Sequence, residues 1–162
     1  MAKPIEVYLD VETNWGRELT VVGFQSSVTG VIQLVGSEIT TRRLRKELPR
    51  EGRLFTYNGH CFDICCIRKQ LGIDLQRQFE SFDLRWICQR SGLRGGQKLI
   101  EQRIGHERKY AEMDGLDAIR LWSDYEDGNQ GALALLLCYN AEDLTGLMKI
   151  KRHLSVRGLL SN

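Results

Sequence analysis

Val7-Tyr8-Leu9-Asp10-Val11-Glu12-Thr13 is the stretch on which the reading of this chain turns. Its alternation predicts a β-strand near the N-terminus, with two carboxylates one residue apart at its end. Side chains alternate faces along a strand, so Tyr8, Asp10 and Glu12 share one face, and Val7, Leu9 and Val11 take the other. Two like charges on one face repel and are costly to desolvate, so the pair stays in water or is neutralised by cations. An isolated Asp-x-Glu is more often a solvated strand end than a site. Carboxylates elsewhere in the chain decide the matter.

Outward from this strand, the first third reads as an antiparallel meander. Strand one covers about Ile5 to Val11, strand two about Leu19 to Gln25, and strand three Gly30 to Val35. The turns fall at Asn14-Trp15-Gly16-Arg17 and at Ser26 to Gly30. Ser37 or Thr40 can cap a helix to about Leu48, stopped by Pro49. A fourth strand, Arg53 to Tyr57, leads through Asn58-Gly59 into a helix over Cys61–Leu71. Phe82-Asp83-Leu84 follows as a short fifth strand, and strands separated by helices are usually parallel. The second half is helical, around Arg85–Arg90, Gln97–Ile104, Leu116–Tyr125 and a long Ala132–His153, the last with a leucine stripe. The expected fold class is α/β: a mixed five-stranded sheet, antiparallel meander plus parallel strands, flanked by helices.

With 162 residues, 42% hydrophobic and 27% charged, the composition fits one globular domain over residues 1–162 with a sizeable core. The formal charge of +2 neither demands nor excludes a nucleic-acid partner. No secretory signal opens the sequence, and the longest apolar run, Ala132 to Cys138, is too short to span a bilayer. The five cysteines lack paired C-x-x-C spacing, and the three histidines form no pair on one helix face. A zinc site is therefore not expected. The cysteines read as buried or half-buried thiols in a reducing cytoplasm, with no membrane association.

Two more acidic positions bear on Asp10 and Glu12. Asp63 lies in the first turn of the helix after strand four, where an Asp also favours the helix dipole. Asp143 lies four residues after Tyr139 on the final helix, so the two share a face. Taken singly, each reads as structural. Together, Leu9-Asp10-Val11-Glu12-Thr13, Asn58-Gly59-x-x-Phe62-Asp63 and Tyr139-x-x-x-Asp143 resemble the DEDD superfamily of 3′–5′ exonucleases, in its DEDDy form. Tyr57-Asn58-Gly59, Phe82-Asp83-Leu84, Leu99-x5-Gly105-x-x-Arg108, Asp114-Gly115 and Leu136-x-x-Tyr139-Asn140-x-Glu142-Asp143 are similar to YprB-like ribonuclease H-like exonuclease domains.

That resemblance implies a ribonuclease H-like fold and a divalent-metal-dependent 3′–5′ exonuclease. It implies Asp10, Glu12, Asp63 and Asp143 as ligands of two divalent cations, Mg²⁺ or Mn²⁺, with Asp10 bridging, and Tyr139 orienting or deprotonating the attacking water. The chemistry agrees: phosphodiester cleavage needs charge neutralised on the attacking and leaving oxygens, and hard cations prefer carboxylate oxygens. The implied substrate is a single-stranded or frayed 3′ end of DNA or RNA, and a domain this small suits a helicase or another repair or RNA-processing protein as a partner that lends processivity or specificity. Substrate-binding candidates are Asn58, Thr13, Trp15, Arg94 and Lys98. Trp15, where many relatives have Thr-Gly, can stack on a base or pack under its turn. Asn58 reads equally as a substrate contact or a turn residue. Asp83 reads as a structural support. Residues 85–109 hold seven basic and two acidic side chains around the Gly92–Gly96 loop, which suits either a phosphate backbone or a solvated face. Two other functions stay open: an endonuclease with the same metal site, and a non-catalytic nucleic-acid-binding or recruitment module.

Overall fold

The computed structural model describes residues 3–160. Strands β1 (Glu6–Thr13), β2 (Leu19–Ser26) and β3 (Gly30–Val35) form the expected antiparallel meander. A 3₁₀ turn, Gly36–Glu38, precedes α1 (Thr41–Glu47), and Thr40 supplies the cap by accepting the Arg43 N–H at 3.1 Å. β4 (Arg53–Thr56) and β5 (Glu80–Asp83) add parallel strands beside β1, giving the order β3-β2-β1-β4-β5. Between them lie α2 (Asp63–Leu71) and a short α3 (Leu75–Gln78), which sequence reasoning did not anticipate. The rest is α4 (Leu84–Arg90), α5 (Gln97–Arg103), α6 (Gly115–Glu126) and the long α7 (Gln130–Val156). This is the ribonuclease H-like, mixed-sheet α/β architecture.

The boundaries depart from expectation where side chains compete for backbone groups. Asp83 accepts the Arg85 N–H at 3.1 Å, so it closes β5 and caps α4, and Leu84 is helical. Turns through Asn58–Phe62 delay α2 until Asp63. The cysteine reading also needs correction. Cys61, Cys65 and Cys138 are exposed; Cys88 is buried and Cys66 half-buried, all as free thiols. The exposed ones lie on outward surfaces away from the leucine, isoleucine and valine side chains that fill the core.

The two faces of β1 divide the core. Val7, Leu9 and Val11 pack with Leu44 of α1 and Ile64 and Ile67 of α2. Tyr8, on the opposite face, packs with Leu144, Leu147 and Ile150 of α7 and Ile100 of α5. Asp10 and Glu12 extend this second face past the end of the apolar packing, toward α7. β1 is also where the sheet changes from antiparallel to parallel. Its pairing with β4 stops at Tyr8–Phe55, so Asp10 and Glu12 lie beyond the last β1–β4 pair. Crevices at such switch points are where open α/β sheets present their sites.

Candidate active site

Carboxylate oxygens of Asp10, Glu12 and Asp143 all lie within 4.8 Å of one another. β1 supplies the first two, and α7 turns Asp143 and Tyr139 toward them from one face. The register of β1 against β2 slips between Glu12 and Thr13, leaving Thr20 as the extra residue. Such bulges re-aim side chains at strand ends. Glu12 and Asp143 are buried, and Glu12 Oε1 has no hydrogen-bond partner. Asp10 stays partly open to solvent, although protein crowds its carboxylate.

Desolvation, then the mutual repulsion of these carboxylates, pushes Asp10 and Glu12 well above the usual range. Asp143 rises to about 6 by burial, against the opposing pull of Arg108. Asp63 rises to about 7, again chiefly by burial. Burial and the charges of Asp143, Glu12 and Asp10 raise the Tyr139 phenol far beyond neutral pH.

Asp63 is not within the three-carboxylate cluster. It opens α2, on the other side of the sheet, and its Oδ1 accepts the Val11 N–H at 2.9 Å. That N–H lies beyond the last β1–β4 pair and would otherwise be unmatched. Asp63 is still near enough for its charge to raise Asp10 and Glu12.

Two supporting networks were not assigned from sequence. In the first, Asn140 donates from Nδ2 to Asp10 Oδ2 at 2.8 Å. Gln33 donates to Asn140 Oδ1 at 2.9 Å and so fixes which way that amide faces. Asp10, Gly23 and Gln33 are register partners on neighbouring strands, and Asn140 sits over the glycine. A Cβ at Gly23 would stand 1.9 Å from Asn140 Oδ1.

In the second network, Arg108 donates to both oxygens of buried Glu101 and to Asp143 Oδ1 at 2.5 Å. Gln97 Nε2 joins Glu101 Oε1 to the Asp143 carbonyl, each at 2.8 Å. Glu142 accepts the N–H groups of Lys109 and Tyr110 at 2.6 and 3.0 Å, tying the Arg108 loop to α7. A Cβ at Gly146 would meet Glu101 Oε1 at 1.8 Å, so α5 can cross α7 there only over a glycine. A glycine inside a strand or helix is a signal of close approach, and Gly23 and Gly146 were the available clues.

Of the substrate candidates, Lys98 reaches the site, with Nζ 5.0 Å from the Tyr139 ring centre. Burial and then the neighbouring Arg108 lower its pKa. Thr13 is buried at the end of β1. Trp15 stands 66% exposed on the β1–β2 turn, which answers the packing alternative: it does not pack under that turn. Asn58 adopts the left-handed conformation, φ 61°, in the turn before α2, and its Oδ1 accepts from Arg85 at 2.7 Å. Asp83 supports that turn, accepting the N–H groups of Asn58 at 2.7 Å and His60 at 3.2 Å. Arg94 is exposed on the loop before α5, and its carbonyl accepts from Arg103 at 3.1 Å.

A hard divalent cation fits this donor set. The converging groups are all carboxylate oxygens, one of them buried without a partner, and they repel one another. Arg108 already divides its charge between Glu101 and Asp143.

A profile of the RNase H superfamily (RNase_H_2) matches residues 7–155. Among solved structures, the chain is similar to the family B DNA polymerase from the hyperthermophilic archaeon Pyrobaculum calidifontis. The TM-score is 0.72 at 13% identity, over 94% of this chain and 25% of that one. The chain thus spans about a quarter of the polymerase, and the likeness is one of fold. No curated protein matches the sequence. The profile runs from β1 to the last turns of α7 and takes in every carboxylate of the cluster: the chain belongs to the RNase H superfamily.

Proposed function

We propose that this protein is a divalent-metal-dependent 3′–5′ exonuclease acting on single-stranded or frayed ends. The observation that carries the reading is the convergence of Asp10, Glu12 and Asp143 around a buried, unpartnered Glu12 oxygen. Membership of the RNase H superfamily supports it. Asp10, Glu12 and Asp143 would hold Mg²⁺ or Mn²⁺, while Asp63, outside that cluster, adds its negative charge to the site. Two such cations supply charge neutralisation on the attacking and leaving oxygens.

The chain's own groups set up the rest. Asn140 holds the Asp10 carboxylate and Arg108 holds that of Asp143, so neither must reorganise as substrate binds. The Tyr139 phenol stays protonated and donates a hydrogen bond, orienting the attacking water rather than acting as its base. Exposed Trp15 provides a stacking surface for a terminal base, and Lys98 a charge for its phosphate.

The test is cleavage of 5′-labelled single-stranded DNA and RNA in Mn²⁺, Mg²⁺ or EDTA, with Asp143→Ala and Tyr139→Phe in parallel. A metal-dependent ladder shortening from the 3′ end, lost in Asp143→Ala, is the expected result. Large internal fragments would replace the reading with an endonuclease. Oligonucleotide binding without cleavage in any metal would leave a binding or recruitment module.

A further inference from the structure

Of the 23 lysines and arginines, six lie within salt-bridge distance of a carboxylate among the described residues: Arg43, Arg53, Arg68, Arg108, Arg120 and Lys151. Lys149, Arg152 and Arg157 have no carboxylate partner among the described residues. They are exposed and line one cavity of about 420 Å³ beside the end of α7. No acidic side chain lines that cavity, and His106 and His153 complete its polar wall. Burial and the charge of Arg157 lower the pKa of His153, as expected in a positive field. His106 Nε2 is buried without a partner.

A neighbouring cavity lies between this one and the residues that support the carboxylates. This second cavity, of about 640 Å³, shares Gly105 and His106 with the first and is lined by Lys98 and Arg108 on one hand and by Glu107 and Glu112 on the other. Lys98 lies over Tyr139, and Arg108 holds Asp143. The two cavities together run from Lys98 and Arg108, beside Tyr139 and Asp143, over Gly105 and His106 to Lys149, Arg152 and Arg157. Along α7, Asp143 and Arg157 are about 21 Å apart at 1.5 Å per residue. That is the reach of a few nucleotides.

We propose that this groove carries the phosphate backbone of a single-stranded nucleic acid, with Lys149, Arg152 and Arg157 neutralising phosphates several nucleotides from the site of cleavage. The inference rests on the nuclease reading and extends it with a strand path. The end of the groove beside α7 is lined by Lys149, Arg152, Arg157 and two histidines, with Ile104 and Val156 as its apolar floor. It therefore suits backbone contacts that tolerate any sequence.

The test uses the full chain with Lys149→Glu, Arg152→Glu and Arg157→Glu combined. The control carries the same charge change on exposed α1 positions, Arg42→Glu, Arg45→Glu and Lys46→Glu. Binding of a fluorescent oligothymidylate of about twelve nucleotides is measured by anisotropy in EDTA across a salt series. Hydrolysis of a thymidine dinucleotide is measured separately in Mn²⁺. The groove variant should bind the long strand at least about tenfold more weakly. Its log K against log salt slope should be shallower by about 2, from three lost contacts at ~0.7 each. Dinucleotide hydrolysis should keep its wild-type rate.

Equal weakening in the α1 control would overturn the proposal, as would dinucleotide hydrolysis falling in step with long-strand binding. So would a wild-type protein that binds anionic vesicles but not the oligonucleotide. If the wild type hydrolyses nothing while the groove variant alone loses strand binding, the groove stands and the nuclease reading fails.

Discussion

Arg108→Met removes the cation that Glu101 and Asp143 share, and its cost can be worked from the contacts. The Arg108 side chain is 3% exposed and that of Glu101 is 1% exposed. Without the guanidinium, Glu101 keeps only the Gln97 amide, 2.8 Å away. Breaking a buried pair from one side costs about 3–5 kcal/mol, because the remaining charge is left in a low-dielectric setting. At about 2–4 °C per kcal/mol for a domain of this size, melting should fall by about 6–20 °C. Adding Glu101→Met removes the stranded charge, and this double variant should recover most of the loss, since apolar replacements of buried pairs are often neutral. Calorimetry in EDTA on the wild type, both single variants and the double variant closes the cycle. Activity of the double variant should stay about 10–100-fold down, because Asp143 has lost the group that aims it. A single variant less than about 1 kcal/mol destabilised, or a double variant no more stable than Arg108→Met, would refute the reasoning.

Three further outcomes follow from the same geometry. Gly23→Ala should displace the Asn140 amide from Asp10, at about 1–3 kcal/mol of overpacking and about 10–100-fold in activity; an unchanged rate would mean that Asn140 does not position Asp10. In EDTA, stability should fall as pH rises from about 5 to about 8. Asp63 and Asp143, near 7 and 6 when folded against an ordinary 3.8, hold protons that the unfolded chain releases. Their stabilising contribution is therefore complete below the unfolded value and is lost as pH passes through the folded ones. Mn²⁺ should flatten that fall, and melting temperatures that rise over this range in EDTA would contradict it. Finally, Tyr139→Phe should lower kcat with little change in Mn²⁺ affinity, read by kinetics and metal titration, because the phenol acts on water and not as a ligand.

Most of the fold and part of the site were legible in the sequence, for identifiable reasons. The period-two pattern of β1 gave both its two-faced burial and the common face of Asp10 and Glu12, since strand alternation is a local property. The four-residue spacing of Tyr139 and Asp143 likewise placed both on one side of α7. Asp63 was harder. Its helix and turn were visible, but its hydrogen bond to Val11 depends on where β4 stops pairing with β1, which is a tertiary fact. Arg108 and Asn140 appeared in the sequence pattern without a role, because their partners lie 35 and 130 residues away. The exposed cysteines were misread because residue type gives only an average burial.

The central claim is that Asp10, Glu12 and Asp143 form a divalent-cation site. Calorimetric titration of Mn²⁺ into the metal-free protein, near pH 6 in buffers of different ionisation enthalpy, tests it without requiring turnover. Saturable binding with proton release is expected, because raised carboxylates must give up protons to bind metal. Asp10→Asn and Glu12→Gln should each weaken that binding sharply. Absence of saturable binding, or binding that both variants leave unchanged, would contradict it.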